Sequence, residues 1–228
     1  MCATQKEKMV TIIGGAYFQP IADLLEKLAR CLPKAALNEV QVNTRENGYS
    51  VSICVLSVLC LESYSMRVRH INRNRPFSQT RNVLKFLKSL YPTFPNFGAL
   101  AETFILRDLL AHNHLWVIEF LWDDDVGMKL LDAQKDSLRV DHKYKDHVDI
   151  GNRKTKQLGL NVFPTRVNRV DVGKVLKTIW DALIYLERQN RNQCYVSHLQ
   201  VLFEEKHVNF GKLISNTYGK FVSEPPSS

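Results

Sequence analysis

The chain has 228 residues, of which 45% are hydrophobic and 24% are charged, and its formal net charge is +8. This length and composition exclude a disordered protein and predict a single domain with a sizeable core. The basic balance is only a weak sign of an anionic partner, because basic surfaces also serve solubility.

The cysteines and the N-terminal residues indicate the cellular compartment in which the protein is expected. The five cysteines are odd in number, form no CxxC pair and mostly lie among apolar residues. This pattern is typical of reduced, buried thiols in a cytosolic protein and argues against structural zinc. MCATQKEKMV lacks the pattern of a signal peptide, and the apolar run 51–61 is too short to span a bilayer. We therefore expect a cytoplasmic protein with no membrane partner, metal or cofactor.

The first half of the chain predicts three helices. Residues 20–32 repeat apolar side chains at helical spacing between two prolines, so they are expected to form the first. Residues 38–48, with the turn-forming pair Asn47-Gly48, are interpreted as a loop with at most a short strand. A second helix is expected from Ser50 to about residue 71, and a third from about residue 78 to 90.

The fourth predicted helix lies in the almost wholly apolar run 97–122, and this run contains the polar stretch RDLLAHNH, residues 107–114. At about 100° per residue, Asp108, His112 and Glu119 would share one stripe, and Arg107 and His114 another. Because the surrounding positions are apolar on nearly all sides, the helix should be enclosed by its neighbours. Its polar stripes must then face each other, a second subunit or a cleft.

The second half is expected to complete one helical domain. Residues 123–164 are charge-dense and rich in turn residues, so we interpret them as an irregular or β-hairpin insertion. A long helix follows, with Asp171 as its candidate cap, and residues 191–228 form an extension with a strand and a short helix. The predicted fold is a mainly α, antiparallel helical bundle over residues 1–228, with its core at about 20–122 and 165–190.

The polar residues of the fourth helix also have a purely structural interpretation. Asp108 would pair with His112 across one turn, and Arg107 would pair with Glu62 or another acid. Residue types alone favour this internal network, because buried charges usually pair structurally.

The motif nevertheless resembles that of the HEPN domain family. RDLLAH matches the form R-D-x-x-x-H on a late helix of a bundle, and the earlier LESYS around Glu62 is also similar to the family. The resemblance covers about residues 21–189. It implies a homodimer whose facing motif helices form one cleft, and a metal-independent endoribonuclease in a toxin or phage-defence setting. Carried onto this chain, it makes Arg107 and His112 catalytic, places Asp108 beside them and makes Glu62 a supporting acid.

Some alternatives stay open within this reading. His114 also satisfies the spacing of the motif at its upper limit, so either histidine could complete the site. A non-catalytic interaction module and an RNA-binding protein without cleavage are the two rival functions. An antitoxin or other defence-system protein is a further expected partner.

A basic segment adds a candidate RNA-binding surface. No Asp or Glu occurs between residues 63 and 101. A basic face that is simply solvated explains the lack of acids in this segment as well as a phosphate-binding surface does. Tyr64, Phe77 and Tyr91 could stack on bases, although core packing is the commoner role. Asp141–Asp149 holds carboxylates and histidines, but a solvated loop fits its spacing better than a metal site. The arginines expected to bind RNA are Arg67, Arg69, Arg73, Arg75 and Arg81.

Overall fold

The computed structural model describes residues 13–31, 43–80, 82–112, 116–123, 127–135 and 142–223. Within these ranges the protein is mainly helical, as the sequence predicts. The α-helices are α1 (Phe18–Arg30), α2 (Thr44–Ile71), α3 (Val83–Leu90), α4 (Phe97–Ala111), α5 (His142–His147), α6 (Arg169–Gln189) and α7 (Phe210–Tyr218). Short 3₁₀ helices lie at Gly14–Tyr17, Pro76–Gln79 and Pro164–Arg166, and a π-helical turn lies at Gly219–Ser223.

The strands form three separate antiparallel pairs. They are β1 (Trp116–Asp123) with β2 (Gly127–Lys135), β3 (Val148–Asp149) with β4 (Lys154–Thr155), and β5 (Gln200–Phe203) with β6 (Lys206–Asn209). The β1–β2 pair confirms that a hairpin lies between the motif helix and the last long helix. The C-terminal strand and short helix are confirmed as β5 and α7.

Helix α2 is the centre of the fold. It packs against α1, α4 and α6, and its fully buried side chains include Ile53, Val58 and Leu61. Among the described helices it alone is long and apolar enough to cross a membrane, and half of its most apolar window is buried inside the protein. A core helix of a helical domain has the same length and composition, which is the role that these contacts give α2.

The start of α2 corrects one expectation. The helix begins at Thr44 rather than at Ser50, because the Asn43 side chain accepts a hydrogen bond from the Glu46 amide and so caps the first turn. Asn47 and Gly48, predicted to form a turn, are therefore helical. The Asn47 side chain instead donates hydrogen bonds to the carbonyls of Pro164 and Val167, which ties α2 to the segment before α6.

The end of α4 corrects a second expectation. The helix stops at Ala111, with His112 as its C-cap, and residues 116–122, which were predicted to continue it, lie in strand β1. WVIEFLW is rich in aromatic and β-branched residues, which favour strands, and an apolar run alone does not separate the two structures. Val117 and Trp122 are 63% and 69% exposed, so this part of the apolar run is not enclosed. Glu119 lies on β1 and shares no helical stripe with Asp108.

The segment between β2 and α6 is attached to α4 through a buried carboxylate. Glu102 is fully buried, and its two oxygens accept hydrogen bonds of 2.8 Å from the backbone amides of Gln157 and Leu158. A second apolar cluster adds to this attachment, and it contains Ile105, Leu109, Tyr144, Val148 and Val162. The predicted insertion therefore packs closely on the motif helix.

Helix α6 begins with a capping box. The Asn168 side chain accepts from the Val170 amide, and Asp171, three residues into the helix, accepts from the Asn168 amide at 3.0 Å. The cap is therefore Asn168, and Asp171 is its reciprocal partner rather than the cap itself. Asp171 also accepts two hydrogen bonds of 2.9 Å from Asn161, which fixes the chain leading into α6.

Candidate functional site

An arginine on α4 and a glutamate on α2 form the centre of the candidate site. The Nη2 of Arg107 donates a hydrogen bond of 2.5 Å to Oε1 of Glu62. Both side chains are only partly buried, with 17% of Arg107 and 24% of Glu62 exposed. The pairing of Arg107 with Glu62 that the structural interpretation predicts is therefore present, and it lies at the protein surface rather than deep in the core.

The guanidinium of Arg107 has a second acidic neighbour. Its Nε lies 3.3 Å from Oδ1 of Asp108, and its Cζ lies 5.8 Å from the centre of the Phe104 ring. The Nε is buried without a hydrogen bond of good geometry among the described residues. An arginine fork has five N–H donors, and the bond to Glu62 uses one of them. Arg107 thus has two acidic neighbours, at Nη2 and at Nε, and keeps further N–H donors for an anion.

The pKa of Glu62 is raised above its usual value of 4.5. Burial is the largest cause, because it disfavours the charged carboxylate, and the negative charge of Asp108 acts in the same direction. The charge and hydrogen bond of Arg107 lower the pKa without reversing the shift. Glu62 is therefore easier to protonate than an ordinary glutamate, although an arginine is bonded to it.

The first histidine of the motif, His112, follows the end of α4. His112 is exposed, and its backbone N–H donates to the Asp108 carbonyl at 3.1 Å. Among the described residues, the His112 ring makes no hydrogen bond or ion pair with the Asp108 carboxylate, so the predicted side-chain pair is absent there. His114 lies outside the described residues. The His112 ring is thus open to solvent at the C-terminus of α4.

A basic stripe continues from Glu62 along α2. Arg69, seven positions after Glu62, lies within about 20° of the direction of Glu62 on the helix. Arg73 lies in the turn after α2 ends at Ile71. Arg69 contacts the Met66 sulfur at 3.3 Å, and its Cζ lies 5.0 Å from the Phe86 ring centre. Nη1 of Arg73 lies 3.1 Å from Nε2 of His70. Arg69 is thus on the Glu62 side of α2, and Arg73 lies in the turn beyond the helix.

The other predicted RNA-binding arginines are distributed around this stripe. Arg67 points away from it and donates to the Asn192 carbonyl at 3.5 Å. Arg75 is exposed after the end of α2, and Arg81 lies outside the described residues. The structure therefore places Arg67, Arg69, Arg73 and Arg75 on the C-terminal part of α2 and the turn that follows it.

The aromatic residues predicted as alternatives for base stacking have structural roles where they are described. Tyr64 is 4% exposed and packs edge-on against Phe18. Tyr91 packs edge-on against Tyr185 with ring centres 5.8 Å apart. The Phe77 side chain lies outside the description. Tyr64 is a core residue, which confirms the commoner role.

Other candidate sites are accounted for by packing and turns. In the segment Asp141–Asp149, Tyr144 and Val148 are buried, and the Asp149 carboxylate accepts from the backbone and side chain of Asn152. This segment is therefore packed rather than the solvated loop that the spacing favours. Among the described residues, no group of three or more His, Cys, Asp and Glu side chains could hold a metal ion. Cys54, Cys60 and Cys194 are buried free thiols, as the composition predicts.

Sequence reasoning missed an exposed stack of side chains after α6. Arg191 and His198 each contact the Tyr195 ring there, and we call these three residues the 191–198 stack. The only sequence signal is an alternation in which Cys194 and Val196 are apolar and the residues beside them are polar or aromatic.

No protein-family model matches the chain, and no curated protein or solved structure shows significant similarity to it. Its function is therefore inferred from the residues and their geometry.

Proposed function

We propose that the protein is a metal-independent endoribonuclease of the HEPN type, whose active site is completed by a second copy of the chain. The observation that carries the proposal is the partly exposed Arg107 guanidinium, which Glu62 holds near the end of α4, with the exposed His112 directly after the helix. The packing of α2 on α4 supports a mainly helical bundle. A facing copy of α4 brings two arginines and two histidines into one cleft.

Each residue type suits one part of RNA cleavage. The ribose 2′-OH attacks phosphorus, the bond from phosphorus to the 5′ oxygen breaks, and the products are a 2′,3′-cyclic phosphate and a free 5′-OH. Histidine titrates near neutral pH, so one His112 takes the 2′-OH proton while the other supplies a proton to the leaving oxygen. Arg107 stabilises the charge that gathers on the phosphate oxygens. The substrate is RNA because the attack requires the 2′-OH.

The two acids position Arg107 rather than react. Glu62 receives the short hydrogen bond from Nη2, and Oδ1 of Asp108 lies 3.3 Å from Nε, the nitrogen on the same edge of the guanidinium. An arginine held by two acids loses little conformational entropy when it binds phosphate, which favours a fixed orientation of the fork. Arg69 and Arg73 extend the positive charge along α2 and bind the flanking RNA backbone.

The chemistry of the products tests this proposal. Wild-type protein and single variants are incubated with end-labelled single-stranded RNA in the presence of a chelator. We expect products with 2′,3′-cyclic phosphate and 5′-OH ends, and loss of cleavage in a folded, dimeric His112→Ala protein. Full activity of His112→Ala together with loss in His114→Ala would move the site by two residues. Activity that survives both substitutions would refute the histidine mechanism.

A second candidate function is a non-catalytic interaction or RNA-binding module, and the Arg107–Glu62 bond itself favours it. If the bond only joins α2 to α4, Arg107→Ala leaves a partly buried carboxylate unpaired and destabilises the fold by about 3 kcal/mol. No RNA is then cleaved by the wild-type protein. The enzymatic proposal includes a cytoplasmic toxin or phage-defence role and restraint by an antitoxin or other defence-system protein.

A further inference from the structure

The 191–198 stack has two open ends. The Tyr195 and His198 rings lie 3.9 Å apart and within 21° of parallel, and the Arg191 Cζ lies 4.1 Å from the Tyr195 ring centre. Two groups this close to the ring centre would clash if both lay on the same face of Tyr195. Arg191 and His198 therefore occupy opposite faces of the ring. His198 is exposed, as is 66% of the Arg191 side chain. Each end of the stack therefore presents a flat surface to solvent.

Two buried side chains and hydrogen bonds to α6 hold the loop that carries the stack in place. Cys194 and Val196 are fully buried and alternate with the exposed Tyr195 and Ser197. Glu187 on α6 accepts hydrogen bonds of 2.8 Å from the Val196 and Ser197 amides and one of 2.6 Å from the Ser197 hydroxyl. Burial raises the pKa of Glu187, but these bonds and the Arg191 charge outweigh it and lower the pKa overall. The hydrogen bonds to the Glu187 side chain thus fix the loop that carries the stack before any ligand binds.

The loop also lies against the basic end of α2. Arg67 donates to the Asn192 carbonyl at 3.5 Å, and the Asn72 side chain donates to Gln193 Oε1 at 3.4 Å. The exposed Arg73 follows Asn72 directly. The loop that carries the stack therefore contacts the basic end of α2, in a segment that has no acidic residue between positions 63 and 101.

We propose that the 191–198 stack is a base-stacking platform for single-stranded RNA, separate from the Arg107–Glu62 pair. Unpaired bases stack on histidine rings and on guanidinium planes, and this stacking tolerates any base. Arg67 and Arg73 bind the phosphates beside the stacked bases. The choice of RNA as ligand rests on the proposed function, and the platform adds to it a site that holds the strand away from the reacting phosphate.

A binding measurement tests the platform without any cleavage. The probe is a fluorescent, unstructured 2′-O-methyl RNA of about twelve nucleotides, whose blocked 2′ oxygens cannot react. Its affinity for the full chain is measured by anisotropy in a chelator. We expect His198→Ala to weaken binding by about 5- to 100-fold, the range expected for one lost base stack. His198→Phe keeps a flat ring and should bind within about twofold of wild type.

Arg30→Ala is the matched control, because it removes one exposed arginine that is paired with Glu26 on α1. It should bind as wild type does, and thermal unfolding should show that all the variants are folded. Equal affinity of His198→Ala and wild type, or no binding by wild type, would overturn the platform. Neither outcome bears on cleavage at Arg107. Conversely, loss of binding in His198→Ala supports the platform even if the wild-type protein cleaves no RNA.

Discussion

Arg107 and Glu62 are 45 positions apart in the chain, and a 2.5 Å hydrogen bond joins them across the contact between α4 and α2. The bond fixes an arginine near the end of the motif helix and leaves part of it exposed. The same hydrogen bond therefore joins α2 to α4 and leaves the Arg107 guanidinium accessible to a substrate. These two effects are separable by experiment.

The pH dependence of stability tests whether folding raises the pKa of Glu62. Its pKa is raised in the folded protein, mainly by burial, so the folded state binds this proton more tightly than the unfolded state does. The stability that Glu62 contributes is therefore full below its unfolded pKa and is lost as the pH rises through its folded pKa. Glu62→Gln cannot titrate. We expect the unfolding free energy of wild type minus that of Glu62→Gln to fall as the pH rises above about 4.5, the usual pKa of a glutamate.

Urea unfolding at a series of pH values measures this difference. Asp23→Asn is a suitable control, because it changes an exposed carboxyl on α1 and should leave the pH profile of wild type unchanged. A difference that rises with pH would mean that the attraction of Arg107 outweighs burial, and the assigned direction of the pKa shift would be wrong.

Glu102 should matter for stability more than any exposed acid. Glu102→Ala removes the acceptors of two backbone amides, those of Gln157 and Leu158, in a fully buried place. Because each unsatisfied buried donor costs about 1 to 3 kcal/mol, the free energy of unfolding should fall by about 2 to 4 kcal/mol. Denaturant titration measures the loss, and hydrogen exchange of the two amides locates it. Unchanged protection of both amides in the variant would contradict this role.

The helical start of α2 has its own test at Gly48. A Cβ placed there meets no atom within 4 Å, and the residue is exposed on the helix. Gly48→Ala should therefore stabilise the protein by about 0.5 to 1 kcal/mol, because alanine favours a helix and glycine opposes it. Gly159→Ala is the contrasting variant, since its φ of 62° strains any residue with a side chain. Destabilisation by Gly48→Ala in thermal unfolding would contradict a helix at this position.

The helices with clear caps and periodicity were predictable from the sequence. The apolar spacing of α1 and α6 and the charge distribution of α6 leave little choice of structure. The beginning of α2 was missed because Asn47-Gly48 has the composition of a turn, and only the tertiary bonds of Asn47 show its helical role. Strand β1 was missed because its apolar run continues that of α4, and periodicity cannot divide one run into two elements.

The candidate site was predictable only in part. The motif identified Arg107, and an acidic partner for it was a reasonable expectation from the cost of burying a charge. Glu102 was missed because its partners are backbone amides more than 50 positions away, which no pattern of side chains reveals. The stack at Tyr195 was missed because the contacts of its rings depend on which residues of the loop point into the core and which point outward. The hydrogen bonds of the loop to Glu187 fix this alternation, and the sequence does not reveal them.

The rate at which purified protein cleaves single-stranded RNA in a chelator tests the central claim most directly, with Arg107→Ala compared with wild type. We expect wild type to cleave and folded Arg107→Ala to be slower by about 100-fold or more, the loss typical of removing one donor to a charged transition state. Arg188→Ala, which removes an exposed arginine of α6, should cleave at the wild-type rate. Cleavage by Arg107→Ala at the wild-type rate, or no cleavage by wild type, would contradict an RNA-cleaving site at Arg107.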